Sequence, residues 1–414
     1  MNAARNYALV TAAYWSFTLT DGALRMLVLL HFHQLGYTPV ELAFLFLFYE
    51  FFGVITNLLG GFVAARVGLK VTLTGGLLLQ VGALVMLSAV SPSWAKVASV
   101  AYVMAAQALS GIAKDLTKMS AKSSIKLLLP KDATGTLFKW VALLTGSKNA
   151  LKGVGFFLGG FIGAALGFRG GLYAMSGALL VVFGVAQVSL PRDIGRTRAK
   201  AKFSGLLSKS RAVNVLSAAR FFLFGARDIW FVVGVPVYLY EALHWSFTQV
   251  GAALALWVIG YGAVQSIAPV LIRRWTGGNA PDARSAKVLA FILTGVTTLI
   301  AIGLHAGLPP GAIIVGGLAV FGVVFAVNSS VHSYLILAYS DGDKVALDVG
   351  FYYMANAAGR LVGTLLSGLL FQSAGVPGCL WGALAFVGAA TLVSLLLRSP
   401  FRSHEKRAFG WEPP

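Results

Sequence analysis

The chain is poor in charge and poorer still in acid. Only 11% of its 414 residues are charged, and 14 acidic residues stand against 33 basic ones. A soluble domain carries about 25% charged residues. The deficit, with a mean hydropathy of +0.79, excludes an ordinary soluble enzyme and points to an integral membrane protein. Cysteine is nearly absent: the lone Cys379 excludes an internal disulfide and any cysteine-based metal cluster. Paired aspartates that would hold a divalent metal for a membrane-embedded transferase are also missing, so neither metal nor cofactor is expected. The first apolar segment is too long for a signal peptide, carries Asp21 and Arg25, and lacks a small-residue cleavage site. It is expected to remain as a permanent helix.

What the chain has in abundance is long apolar runs. A helix needs about 20 mostly apolar residues to cross the hydrocarbon. Twelve segments meet this: 7–34, 40–65, 71–91, 96–120, 138–165, 171–190, 213–240, 247–272, 287–304, 310–338, 346–372 and 377–397. Glycine, proline and charged residues mark the breaks. The basic residues fall in alternate loops: Arg66 and Lys70, Lys122 to Lys131, Arg192 to Arg211, Arg273 to Lys287, Lys344, and a tail with Arg398, Arg402, Lys406 and Arg407. The intervening loops hold only Lys96 and Arg169. By the positive-inside rule both termini are cytoplasmic. Most of the net charge of +19 follows from this topology, and a nucleic-acid partner is not needed.

The segments divide six and six about a basic loop. This predicts an all-α integral membrane fold: an N-terminal bundle over 1–190, a linker over 191–212, and a C-terminal bundle with a short tail over 213–414. A shift of 208 positions aligns NALKGVGFFLGG (149–160) with AAGRLVGTLLSG (357–368) and pairs Lys152 with Arg360. The same shift sets Leu35 on Leu243 and Asn57 on Gln265. Two parallel six-helix repeats are expected of halves related by an axis along the membrane normal. This pattern resembles the major facilitator superfamily. The loop holding Gly61, Arg66, Gly68 and Lys70 is similar to that superfamily's signature, except that its acidic position is Ala65, so no gating ion pair carries over through it.

Ionisable groups in membrane helices cost about 2.5–3.5 kcal/mol on insertion scales and usually face a cavity. Segments 3, 6, 9 and 12 have none at their centres, and these are the outer helices of the resembled fold. The remainder hold Asp21, Arg25, Glu50, Lys114, Asp115, Lys118, Lys148, Lys152, Arg220, Arg227, Asp228 and Arg360: eight cations against four anions. An excess of four positive charges suggests a polyanionic small-molecule substrate. Lys148 and Lys152 lie one turn apart near mid-membrane, beyond the reach of snorkelling. Arg220 and Arg227, seven apart, share a face, and arginine suits bidentate recognition of oxyanions where lysine acts as a point charge. Lys114, Lys118, Lys122 and Lys126 wind along one helix; the first two are candidate cavity residues, the last two a solvated face. Asp115 can pair with Lys118 at i+3, and Asp21 with Arg25 at i+4. Asp228 follows Arg227 but points elsewhere, so it is expected to pair across helices or carry a proton. Glu50 shows no local partner. The substrate-binding candidates are thus Lys148, Lys152, Arg360, Arg227, Arg220, Lys114, Lys118 and Arg25, with Asn356 and Tyr352 as hydrogen-bond donors. The proton-coupling candidates are Glu50, Asp21, Asp228 and Asp115. His31 and His33 read as interfacial, too few for a metal site.

Four stretches are more specific: LTDGALRMLVLLHFHQLGY (19–37), AQALSGIAKDLTKMSAKSSIKLL (106–128), LTGSKNALKGVGFFLGG (144–160) and FLFGARDIWFVVGVPVYL (222–239). They resemble the organoarsenical efflux permeases, the ArsJ family within the major facilitator superfamily, and the resemblance runs over nearly the whole chain. Gly155, Gly159 and Gly163 also resemble the helix-5 glycine motif of exporters there, without its proline. The resemblance implies a monomeric, multi-pass protein of the bacterial inner membrane that exports 1-arseno-3-phosphoglycerate. Glyceraldehyde-3-phosphate dehydrogenase makes that compound from arsenate, so the enzyme would be a functional partner. The alternatives left open are a transporter of another organophosphate or anionic metabolite and, more remotely, the membrane-embedded transferase.

Overall fold

The computed structural model describes the backbone of residues 3–126, 134–191, 210–277, 281–340 and 345–398. Lys131, the run 192–209 of the linker, Lys344 and the tail beyond 398 lie outside the described residues, as do the side chains of Arg66, Lys122 and Lys126. Among the described residues every regular element is a helix. The first half holds α1 (Ala3–Gln34), α2 (Pro39–Leu45), α3 (Leu47–Val67), α4 (Leu69–Ser88), α5 (Lys96–Lys126) and α6 (Thr134–Ser189). The second holds α7 (Arg211–Phe231), α8 (Gly234–Glu241), α9 (Phe247–Trp275), α10 (Ala283–His305), α11 (Pro310–Tyr339) and α12 (Val345–Ser394).

Nine stretches among the described residues are long and apolar enough to cross a membrane. Two of them, 46 and 47 residues long, are hairpins. In α6 the chain turns at Gly167 (φ 67°), and in α12 at Gly375 (φ 61°). A Cβ on Gly171 would meet the Ile162 side chain, and one on Gly382 the Leu370 side chain, so the two arms of each hairpin lie against each other. The sequence segments 138–165 and 171–190 are the arms of α6, and 346–372 and 377–397 those of α12.

The segment at 213–240 is broken, as α7 and α8. Pro236 has no N–H, and its ring clashes with the carbonyl four residues back, at Val232, where the break lies. The freed N–H groups of Val233 and Gly234 donate to Ser367 Oγ at 3.1 and 3.2 Å, so the break leaves neither orphaned in an apolar setting. The segment at 40–65 is likewise split, at Phe46.

The 208-residue repeat is written into the backbone. The turn glycines Gly167 and Gly375 are 208 apart. So are Gly36 (φ 75°) and His244 (φ 54°), the one non-glycine with positive φ among the described residues. Two capping boxes share the spacing: Thr38 with Glu41 opens α2, and Ser246 with Gln249 opens α9. The helix crossings repeat as well. A Cβ on Gly155 of α6 would sit 3.0 Å from Gly22 Cα of α1, and one on Gly363 of α12 would sit 3.0 Å from Gly225 Cα of α7. Backbones approach this closely only where side chains are absent. Each crossing sets a charged residue of one helix beside an opposite charge on the other.

Candidate functional site

A cavity of about 160 Å³ lies between the halves, and all eight sequence-predicted cations line it: Arg25, Lys114, Lys118, Lys148, Lys152, Arg220, Arg227 and Arg360. They arrive on α1, α5, α6, α7 and α12. The acids mostly stand behind them. The side chains of Glu50 and Asp115 are 0% exposed, Asp228's is 1% and Asp21's 6%, against 11–16% for the cations they pair with. Asp21 and Glu50 do not reach the wall. A buried charge persists only if paired and hydrogen-bonded. The backing acids meet that need for the cations while leaving the inner surface positive.

The pairing differs in part from the sequence expectation. Asp21 and Arg25 do not neutralise each other. The α1–α6 crossing brings Lys152 Nζ to 3.1 Å from Asp21 Oδ2, and the Tyr49 hydroxyl donates to Asp21 Oδ1 at 2.6 Å. Arg25 turns instead to Glu50, with Nη1 at 3.5 Å from Oε1. Glu50, which has no partner near it in sequence, is a hub for three cations: Arg25, Lys114 with Nζ at 4.0 Å, and Arg360 through Nη2. Asp228 does pair across helices, accepting from Arg360 Nε at 3.0 Å, but it also holds its neighbour Arg227, whose Nε donates at 2.6 Å. The long arginine stem folds back along α7, which the sequence expectation that Asp228 points away did not allow for. Asp115 pairs with Lys118 as expected, and Lys118 also donates to Asn57 Oδ1.

Arg220 is held differently. Its Nε donates to Asn356 Oδ1 at 2.9 Å, and its Nη1 to the carbonyl and hydroxyl of Ser329 at 3.2 and 3.0 Å. Phe224 lies 3.8 Å under Arg220 and 4.9 Å under Arg227, so one ring braces both guanidiniums. Asn356 is on the wall, as expected. Tyr352 is not: it is fully buried 5.1 Å beneath Arg220, and its neighbour Tyr353 faces the cavity. One helical residue turns a side chain by about 100°, and the sequence does not fix which of two adjacent tyrosines faces inward.

Sequence reasoning missed the neutral polar wall. Asn149 Nδ2 donates to Gln265 Oε1, and Gln265 and the Tyr261 hydroxyl each lie 3.3 Å from Ser329 Oγ. Tyr49, which carries Lys114 3.9 Å above its ring, was missed too. The repeat held a signal for it: 208 residues on lies Trp257, also aromatic, which lines the wall where Tyr49 stands behind it. No group of three or more histidine, cysteine or acidic residues suited to a metal occurs among the described residues.

Comparisons with known proteins agree with this architecture. Two stretches, 10–233 and 216–412, match the family model of the Major Facilitator Superfamily. No curated protein matches the chain. Among solved structures it is similar to the human organic anion transporter MFSD10 (TETRAN), at 16% identity and a TM-score of 0.70 over 96% of this chain and 100% of that one. At that identity the likeness speaks for the fold. The helices are those of a multi-pass membrane protein, and the family is one of transporters. The chain belongs to the Major Facilitator Superfamily.

Proposed function

We propose that this transporter exports a small polyanion, and specifically the organoarsenical 1-arseno-3-phosphoglycerate, giving resistance to arsenate. The observation that carries the reading is the wall itself: eight cations face one cavity, against four acids of which two do not reach it. A phosphate group carries about −1.5 to −2 at neutral pH, so a phosphate and an arsenate on one substrate bring about four negative charges to an excess of four positive ones. The sequence resemblance supplies the arsenate. The charge count alone is met equally by another organophosphate, which is the second reading. The chain is proposed to cross the bacterial inner membrane twelve times with both termini in the cytoplasm. It would act as a monomer, its six-helix halves rocking about the cavity. Glyceraldehyde-3-phosphate dehydrogenase would supply the substrate. Efflux either runs down the substrate gradient or is exchanged for protons through Glu50, Asp21, Asp228 or Asp115; a protonophore that leaves export unslowed removes the second route.

The test is arsenic accumulation in everted membrane vesicles. They receive arsenate alone, or arsenate with glyceraldehyde-3-phosphate, NAD and the dehydrogenase, using the wild type and Lys152→Ala. Uptake that needs the coupled system and is lost in the variant is the expected result. Equal uptake of bare arsenate would make the protein an inorganic oxyanion carrier. No arsenic uptake into sealed vesicles would transfer the reading to other organophosphates.

A further inference from the structure

The wall cations differ in type between the halves. The first half supplies Arg25 and four lysines, and the second supplies only arginines, Arg220, Arg227 and Arg360. In the first half the five cations face three of the four acids, Asp21, Glu50 and Asp115; in the second the three arginines face one, Asp228. The excess of four positive charges therefore divides evenly, two to each half. A neutral chain runs from one group to the other. Asn149, between Lys148 and Lys152 on α6, donates to Gln265; Gln265 lies beside Ser329 Oγ; and Ser329 accepts from Arg220. Two charged poles with a neutral stretch between them complement an anion that carries a charge at each end.

Arg220 stands apart from the other two arginines. Asp228 holds both Arg227 and Arg360, whereas Arg220 has no acid in ion-pair contact among the described residues. Its hydrogen-bond partners, Asn356 and Ser329, are neutral, and the residue is only 4% exposed. A buried cation without a counter-ion is costly, and an oxyanion entering the cavity supplies one. The Nε and Nη1 groups fix the plane of the guanidinium, while Nη2 donates to no protein group among the described residues and is left for a ligand. The lysines of the first half are point charges on flexible stems and impose no such geometry.

The two ends of the proposed substrate are unlike in reactivity. Its phosphate is an ester and inert toward amines. Its arsenate forms a mixed anhydride with the carboxyl group, which makes that end an acyl donor. A lysine that has lost its proton can attack the acyl carbon. The nitrogen–carbon bond forms, the carbon–oxygen bond to arsenate breaks, and arsenate leaves with the amine's proton, so the cargo is destroyed and the carrier acylated. Arginine stays protonated and offers no such nucleophile. We infer that the substrate lies across the halves in one orientation, its acyl end on Arg220 and its phosphate among the lysines of the first half. The inference rests on the proposed substrate. Arg220 is then the residue that separates a phosphate ester bearing a carboxyl or acyl end from one that lacks it.

Calorimetric titration of the full chain in detergent, at constant ionic strength, tests this with two stable probes. 3-Phosphoglycerate carries a carboxylate at the acyl carbon and a phosphate at the other end; glycerol 3-phosphate carries the phosphate alone. The wild type is expected to prefer 3-phosphoglycerate. Arg220→Gln should weaken 3-phosphoglycerate about tenfold and glycerol 3-phosphate by less than about threefold, so that the preference is lost. Lys114→Gln leaves Glu50 with Arg25 and Arg360, and should weaken both probes by the same factor. Should Arg220→Gln fail to elute as a single species, Arg220→Lys replaces it: the charge remains without the fork, and a smaller loss, still confined to 3-phosphoglycerate, is expected. Equal weakening of both probes at position 220, or no effect on either, overturns the orientation. So does a Lys114→Gln variant that loses 3-phosphoglycerate alone. A wild type that binds neither probe overturns the organophosphate reading of the cavity, and the inference with it.

Discussion

In the first half, Lys152 on α6 meets Asp21 on α1; in the second, Arg360 on α12 meets Asp228 on α7. The cations are 208 residues apart, and the acids 207. The two halves therefore keep the same ion pair at the same helix crossing while the acid has slipped by one position. The surroundings have diverged further. Asp21 is completed by a tyrosine hydroxyl, Asp228 by a second arginine. Lys152 serves one acid, whereas Arg360 serves two, one from each half. What survives the divergence is a cation on the wall with an acid behind it. What changes is whether that cation stays within its own half.

The largest effect should come from the crossings themselves, because they set both pairs. A side chain on Gly155 or Gly363 has nowhere to go: even a Cβ would approach backbone atoms of the facing helix within about 3 Å. Overpacking costs about 1–3 kcal/mol where neighbours can yield, and backbone yields least. Gly155→Leu and Gly363→Leu should each abolish the single folded species in size-exclusion chromatography. Gly177, also in α6, has open space around it and should accept leucine. If Gly363→Leu folds and Gly155→Leu does not, the crossings are not equivalent.

Neutralising the acids comes next and should separate the halves. Asp21→Asn leaves Lys152 with no acid in ion-pair contact among the described residues, and stranding a buried charge costs roughly 3–5 kcal/mol. Asp228→Asn also takes the acid from Arg227, but it is expected to cost less, because Arg360 keeps Glu50 and the Arg227 guanidinium keeps the Phe224 and Phe325 rings. Thermal unfolding in detergent should therefore show a greater loss for Asp21→Asn. The reverse order would mean that Arg227, not Arg360, is the principal dependant of Asp228.

This ordering could not have been read from the sequence, although much else could. All eight cations were legible as cavity residues because the energetics are one-sided: a mid-membrane cation has few places to go. The repeat was legible because Lys152 and Arg360 keep their type and spacing. The partners were not. Asp21 and Arg25 sit at ideal helical spacing, yet tertiary partners on α6 and α3 take each of them. Glu50 looked solitary because its cations come from residues 25, 114 and 360. Asn149 and Ser329 gave no signal, and Gln265 only its place opposite Asn57 in the repeat, since neutral polar residues cost little enough in a helix to face any direction.

Exchanging the cations should have a smaller effect that sharpens the same contrast. Arg360→Lys gives up one of two charge-assisted bonds, each worth about 1.5–3 kcal/mol. Transport in vesicles should fall on the order of tenfold. Lys152→Arg keeps its single acid and should change export by no more than a few-fold. Equal losses would show that Arg360 is needed for charge alone, without its bridging geometry.

The smallest effect belongs to the amide mates. Asn57 and Gln265 are 208 residues apart and both face the cavity. Asn57 accepts from a lysine and Gln265 from an asparagine. A hydrogen bond to a charged group is worth about 1.5–3 kcal/mol, and one between neutral groups about 0.5–1.5. Asn57→Leu should therefore reduce export more than Gln265→Leu, by roughly the several-fold difference between those ranges. If Gln265→Leu proves the more damaging, the neutral bond from Asn149 to Gln265, which joins the halves, matters more to transport than the charge-assisted bond from Lys118 to Asn57, which lies within one half.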